Sequence, residues 1–368
     1  MYNRRKFIKD MAVAGSMTTT SSLVSPLFRN QRSVYPDKIW ACLLHLSFNM
    51  WEEYIAPQRP FRGYRPDLQF SEPLWNKALN EMTEQGLNMV VIDLGDGVKY
   101  DSYPEIAVNN AWSVDKLRAE LDKARKLGLE PIPKLNFSAG HDTWMGVYSR
   151  MVSTEPYYEF CSNLIKEVSE LFDQPRFFHL GMDEETYSHQ RYQKHIVVRQ
   201  GEAWWKDFYF LVEEVEKNNS RAWIWPDYFL WNEPEVFFKR MPKSVVQSNW
   251  YYGHDFATKE EVAATDQQEF YDKSSKGKKY KRFSDAYLDL DRHGYDQIPT
   301  GSFHTDNASN IGQTVEFGQK FLSDDRLLGF LQTIWKPTIE DSDRHSDMGY
   351  EERILKGIDL MGKAKKYD

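Results

Sequence analysis

The chain has 368 residues and a formal net charge of −8, with 12 Trp, 21 Tyr and 22 Phe. That length accommodates one large domain or two ordinary ones, and the acidic balance argues against nucleic acid or an anionic membrane surface as a partner. Flat rings stack well on sugar faces, but most of these rings must serve as core, so composition alone says little about a carbohydrate site.

The chain opens with Asn3-Arg4-Arg5-Lys6-Phe7-Ile8-Lys9, a mildly apolar run over Met11–Met17 and a Ser/Thr-rich stretch to Ser25. This pattern is similar to a twin-arginine export signal. Residues 1–34 are therefore expected to be signal peptide and linker, residues 35–368 the folded domain, and the mature protein periplasmic or secreted. The apolar run is too short and interrupted to span a bilayer, so no membrane span is expected in the mature protein. No Cys stands near the expected cleavage region, and no lipid anchor is expected there.

From Lys38 onward, short apolar runs alternate with helical patterns. The predicted strands are Ile39–Leu46, Met89–Leu94, Glu130–Asn136, Arg176–Gly181, Arg221–Trp225, Val245–Trp250, Gln297–Phe303 and Leu327–Ile334. Ser71-Glu72-Pro73 caps a helix over Leu74–Gly86, Ser113 one over Val114–Gly128, and Ser153-Thr154-Glu155-Pro156 opens Tyr157–Phe172. Later helices are expected over Ala203–Asn218, Pro234–Arg240, Phe283–His293, Thr314–Leu322 and Glu351–Lys366. Eight strand–helix units predict an α/β fold, a (β/α)8 TIM barrel. After the first strand the chain reads His45-Leu46-Ser47-Phe48-Asn49, with no glycine-rich phosphate loop, which counts against a nucleotide-binding open sheet. The basic run Lys276–Arg282 reads as a solvated loop. Cys42 and Cys161 have no metal-like spacing and read as two buried thiols.

A barrel of this kind builds its active site from the residues that close each strand. Those residues include His45, Asp93, Asp96, Asn136, His141 and Trp144, then Trp225, Asp227, Trp231, Trp250, Tyr251, Tyr252, His304, Asp306, Trp335 and Lys336. The most pointed segment is Phe177-Phe178-His179-Leu180-Gly181-Met182-Asp183-Glu184-Glu185, a buried strand that runs into three acids. Acids at a hydrophobic rim can have raised pKa values, and large aromatics around them suit a saccharide pocket.

His179-Leu180-Gly181-Met182-Asp183-Glu184 resembles the His-x-Gly-Gly-Asp-Glu signature that family 20 glycoside hydrolases, the β-N-acetylhexosaminidases, carry after the fourth barrel strand. Pro131–His141 is similar to the family's third-strand segment, roughly Pro-Glu-Ile-Asp-x-Pro-Gly-His; Ile224-Trp225-Pro226-Asp227 to its fifth-strand Trp-Asp element; and Trp335 to its eighth-strand Trp. The resemblance implies a retaining, substrate-assisted glycosidase without cofactor or metal that acts on β-linked N-acetylhexosaminides from the chain end. Glu184 would be the acid and Asp183 would orient the substrate's 2-acetamido group. Trp225 and Trp335 would line the sugar site, Tyr251 or Tyr252 would bond the acetamido oxygen, and His179 and His141 would support the acid; Asp227 and Trp250 complete the implied substrate-binding set. The chain departs from the pattern at Met182 for the second Gly, Asn136 for Asp, Lys134 for Glu, and in having no first-strand Arg, with Arg62 and Arg65 in the following loop.

On an ideal strand Asp183 and Glu184 face opposite sides, so Glu185 is the alternative acid unless the strand ends by about Gly181. Three rival readings stand beside this one. A metal-dependent hydrolase or sugar isomerase would draw on His45, His141, His304, Asp93 and Glu184, although no His-x-His pair or His-Glu-x-x-His helix is present. The others are a non-catalytic carbohydrate-binding barrel and a glycosidase for sugars without a 2-acetamido group.

Overall fold

The computed structural model describes residues 37–253, 256, 275–341 and 348–366, and only the backbone of residues 275–282. The expected signal peptide lies outside the described residues. Eight parallel strands form the sheet: β1 (Ile39–His45), β2 (Met89–Asp93), β3 (Glu130–Lys134), β4 (Phe177–Gly181), β5 (Arg221–Ile224), β6 (Val246–Gln247), β7 (Thr300–Ser302) and β8 (Gly329–Thr333). They run in the order β6-β5-β4-β3-β2-β1-β8-β7, and the parallel bridges Gln247–Gln297 and Trp250–Thr300 join the two ends. The chain is a (β/α)8 barrel of the TIM type, as its alternating pattern predicts.

The helices are α1 (Glu72–Glu84), α2 (Val114–Lys126), α3 (Glu155–Leu171), α4 (Glu202–Lys217), α5 (Asp227–Trp231), α6 (Pro234–Arg240), α7 (Ser275–Arg292), α8 (Asn310–Phe321) and α9 (Tyr350–Lys365). Ser71 accepts a bond from the Leu74 N–H and Ser113 one from the Lys116 N–H, so both sequence-marked caps act as caps. The apolar faces of the helices cover strands that are themselves buried on both sides, and nearly every residue of β1, β2 and β4 is inaccessible. Cys42 and Cys161 are free, buried thiols. Among the described residues no helix is long and apolar enough to cross a membrane.

Several boundaries differ from the sequence reading. The basic run Lys276–Arg282 forms the first turns of α7 rather than a loop, since Lys and Arg are good helix formers and supply no stop signal. Strands β6 and β7 are much shorter than their apolar runs. Pro299 has no N–H to give to a ladder, and regular pairing begins only at Thr300.

The register sets a polar belt inside the barrel. His45 pairs with Asp93, Asp93 with Lys134, and Lys134 with His179, on four adjacent strands. Residues in parallel register share a face, so the four side chains gather. Lys134 Nζ lies 2.6 Å from Asp93 Oδ2, and His45 Nδ1 lies 3.1 Å from the same oxygen. A buried ammonium without a partner would be very costly, and Asp93 supplies that partner. Lys134 holds the Asp93 carboxyl below its usual range against the opposing effect of burial, while burial keeps His45 neutral. Asp93 thus neutralises Lys134.

Candidate active site

The end of β4 decides where the acids point. The Gly181 N–H donates to His179 Nδ1 at 3.0 Å, and Gly181, Met182 and Glu184 then take φ of 71°, 71° and 50°. These left-handed residues end the alternation of the strand, and a register shift against β5 falls at the same place. A Cβ on Gly181 would lie 2.1 Å from Asn136 Oδ1, so only glycine fits. Met182 takes the same conformation with a side chain, which is 2% exposed and packs into the core. Because the strand stops at Gly181, Asp183 and Glu184 reach one pocket.

His141 joins them. Its Nε2 lies 3.3 Å from Asp183 Oδ2 and 3.4 Å from Glu184 Oε2. Asn136 Nδ2 donates to Asp183 Oδ1 at 2.7 Å, and Ser138 Oγ donates to the Asp183 carbonyl at 2.5 Å. Asn136, two residues past β3, thus holds the acid by a hydrogen bond from its side-chain amide. On the other side, His189 Nε2 lies 3.3 Å from Glu184 Oε1. The Glu184 N–H donates to Asp227 Oδ1 at 3.1 Å, and Trp250 Nε1 donates to Asp227 Oδ2 at 2.8 Å. Trp250 therefore enters the site through Asp227.

The charges settle accordingly. Burial alone would keep His141 neutral, but the charge and bond of Asp183, reinforced by Glu184, raise its pKa to about 10. Burial alone would raise Glu184, yet His141 and His189 outweigh it and hold the carboxyl far below the usual range. Asp227 is pushed well above the carboxylate range, first by burial and then by Asp183 and Glu184. The cluster thus favours a proton on His141, between two carboxylates, and disfavours a third negative charge on Asp227.

Glu185 is committed elsewhere. Arg199 bonds both of its oxygens, with Nε at 2.9 Å from Oε1 and Nη2 at 2.6 Å from Oε2, and the same guanidinium reaches Asp207 and the Phe137 carbonyl. Glu185 also accepts the Ala139 N–H at 3.1 Å, pinning the β3 loop to the β4 loop. It is a buried counter-ion.

Buried indoles pack beside the acids. Trp225 and Trp335 meet edge to face at 5.8 Å, Trp51 meets Trp335 at 5.7 Å, and Trp51 meets His141 at 4.6 Å. Trp335 takes φ of 54°, and its Nε1 donates to the Tyr252 hydroxyl at 3.1 Å. Neighbouring residues of an extended segment face opposite ways. Tyr251 accordingly packs into the core on Phe256, so the hydroxyl beside Trp335 belongs to Tyr252 and not to Tyr251. His179 stays inside the barrel, with its ring against Trp223 and Trp225, and shapes the turn without contacting the acids. Burial holds it neutral.

His141, Asp183 and Glu184 present ligand atoms within 4.8 Å of one another and could hold a metal ion. The other candidate ligands do not join them: His45 and Asp93 are bound up with Lys134, and His304 pairs with Ser302 Oγ at 3.1 Å. Sequence reasoning missed His189, Trp51, Arg199 and the roles of Asn136 and Lys134. His189 stands five residues past Glu184, where a chain leaving a strand end can fold back over it; nothing local marks the others.

No family model and no curated protein sequence matches the chain. Solved structures do match its fold. The β-N-acetylhexosaminidase from Bacteroides fragilis is 12% identical with a TM-score of 0.54, over 89% of this chain and 66% of that one. The GH20 exo-β-N-acetylglucosaminidase from Vibrio harveyi, in complex with N-acetylglucosamine, is 12% identical with a TM-score of 0.55, over 88% and 54%. A Streptomyces plicatus β-hexosaminidase variant in complex with product GlcNAc is 13% identical with a TM-score of 0.54, over 89% and 64%. The barrel is thus similar to GH20 catalytic domains, and the chain spans two thirds or less of the length of these three proteins.

Proposed function

We propose that the protein is a glycoside hydrolase that removes β-linked N-acetylhexosamines from the ends of glycans, with retention and with help from the substrate's own acetamido group. The observation that carries this reading is the closeness of the acids: ligand oxygens of Asp183 and Glu184 lie within 4.8 Å of each other and share His141 Nε2. An inverting pair needs about 6.5–9.5 Å to admit a water. Asp183, held by Asn136 and His141, is better placed to accept a bond from an acetamido N–H than to attack carbon. The substrate carbonyl oxygen then attacks the anomeric carbon, and water later opens the cyclised intermediate.

Glu184 rather than Glu185 is the proton donor, since Glu185 is neutralised by Arg199. The proton it delivers is stored as the His141 imidazolium between the two carboxylates. It moves to Glu184 as the glycosidic oxygen draws near and the departing group takes it. Trp225 and Trp335 stack the sugar, and the similarity to sugar-bound barrels supports a saccharide in this place. Export through a twin-arginine route, read from residues 1–34, would bring the enzyme to extracellular or periplasmic glycans.

The experiment is a panel of chromogenic glycosides with and without a 2-acetamido group. Hydrolysis of the β-N-acetylhexosaminides alone, abolished in Glu184→Gln, is the expected result. Hydrolysis confined to sugars without the acetamido group would overturn the mechanism.

A further inference from the structure

Beside the acids lies a group that the reaction above does not use. Arg62, in the short turn Pro60–Arg62 after β1, places its guanidinium carbon 4.3 Å from the centre of the Trp51 ring. Trp51 in turn touches His141 and Trp335. Arg62 also feels the charge of Glu184, and His304 feels the charges of Arg62, Lys336 and Glu184, so these groups lie within electrostatic reach of one another.

Two features of this corner stand out. The first is its charge balance. The carboxylates that act on Arg62 are Glu184 and Glu52, and both have other partners: Glu184 lies against His141 and His189, and Glu52 pairs with Arg59 at 2.7 Å. Arg62 has no ion pair among the described residues, and a guanidinium stays charged even when burial opposes it. The second is its orphan donors. Arg62 Nε and Trp51 Nε1 are both buried, and neither has a hydrogen-bond partner among the described residues. Both are donors only, so a partner must bring acceptor oxygens. A sugar hydroxyl brings a donor as well as an acceptor and no charge. A sulfate or carboxylate brings several acceptors and the missing negative charge.

The geometry points to a subsite for an anionic substituent of the glycan, a sulfate ester or a uronic carboxylate, bound by Arg62 and the Trp51 indole N–H with Lys336 nearby. The inference rests on the saccharide reading of the pocket, and it makes the substrate class acidic glycans rather than neutral ones. The protein's overall negative charge would repel such substrates, which gives a local cationic corner its value.

The test compares 4-nitrophenyl N-acetyl-β-glucosaminide with its 3-, 4- and 6-O-sulfates and with the same sugar linked to glucuronate. At least one anionic substrate should show kcat/KM about tenfold or more above the neutral one, the worth of one charge-assisted hydrogen bond. Arg62→Gln should bring the ratio to about one, and Arg62→Lys should keep part of it. The sulfate and glucuronate arms tell the two sources apart. A neutral substrate that matches or beats all the anionic ones, or a preference that survives Arg62→Gln, would overturn the inference while leaving the glycosidase reading intact. If no glycoside is hydrolysed, thermal unfolding with sodium sulfate against chloride at matched ionic strength still decides. A sulfate-specific rise in Tm in the wild type that Arg62→Gln loses supports the anion site, and equal rises in both refute it.

Discussion

Replacing Gly181 by Ala tests the account of how the acids are aimed. The new Cβ would meet Asn136 Oδ1 at 2.1 Å and Cγ at 2.3 Å, at a backbone φ of +71°. The left-handed conformation costs a non-glycine residue about 1–2 kcal/mol. The clash must also expel the Asn136 amide, which donates to Asp183 at 2.7 Å and accepts the N–H groups of Ser138 and Met182 at 3.0 and 3.3 Å. Losing one bond to a charged group and two neutral ones brings the total to about 4–6 kcal/mol, a large part of the stability of an ordinary domain. In an Asn136→Ala background the clash is gone, and Gly181→Ala should cost only the backbone part, about 1–2 kcal/mol. Urea unfolding of the four proteins in this cycle should therefore show a coupling of about 2–4 kcal/mol. Both single variants should also lower kcat by about a hundredfold, because Asp183 loses its anchor. Additivity to within about 0.5 kcal/mol would show that the glycine is not there for Asn136.

Other outcomes follow from the same geometry. Met182→Gly relieves about 1–2 kcal/mol of backbone strain but gives up a buried side chain worth about 1.5–3 kcal/mol; a lower urea midpoint is expected, and a higher one would contradict the packing argument. The His141 pKa of about 10 lies above its ordinary 6.5, so its stabilising contribution is complete below pH 6.5 and drains away as pH rises toward 10. Glu184 has a depressed pKa and contributes above its ordinary 4.5, losing that contribution as pH falls below it. The urea midpoint of wild type should accordingly fall between pH 7 and about 10, and His141→Gln should flatten that limb; an unchanged limb would deny the cluster its stored proton. Glu185→Gln should weaken folding yet keep turnover at low temperature, whereas abolished turnover in a folded Glu185→Gln protein would move the acid to that residue. Arg199→Gln leaves Glu185 and Asp207 buried without their cation and should cost about 3–5 kcal/mol by thermal unfolding.

The barrel was legible because its signals are local. Strands covered on both faces read as short apolar runs, and Ser71 and Ser113 announce their helices with caps that the structure reproduces. The acids were legible for the same reason, since Phe177–Gly181 leads directly into them. What sequence could not show depends on distant pairings or backbone sign. The freedom of Asp183 and Glu184 to share a pocket rests on positive φ at Gly181, Met182 and Glu184, and periodicity carries no information about that sign. The commitment of Glu185 depends on Arg199, fourteen residues away, and that of Asp93 on Lys134, one strand over. Tyr251 and Tyr252 were indistinguishable until the path of the chain placed one in the core and the other beside Trp335.

The belt beneath the pocket limits how this chain can be altered. Lys134 lies against Asp93 in the fully enclosed barrel. Lys134→Glu would set two carboxylates face to face where a cation had balanced one. That single substitution should therefore unfold the protein. Positions 93 and 134 form one charge-balanced pair, and a change at either alone leaves the other buried without its partner.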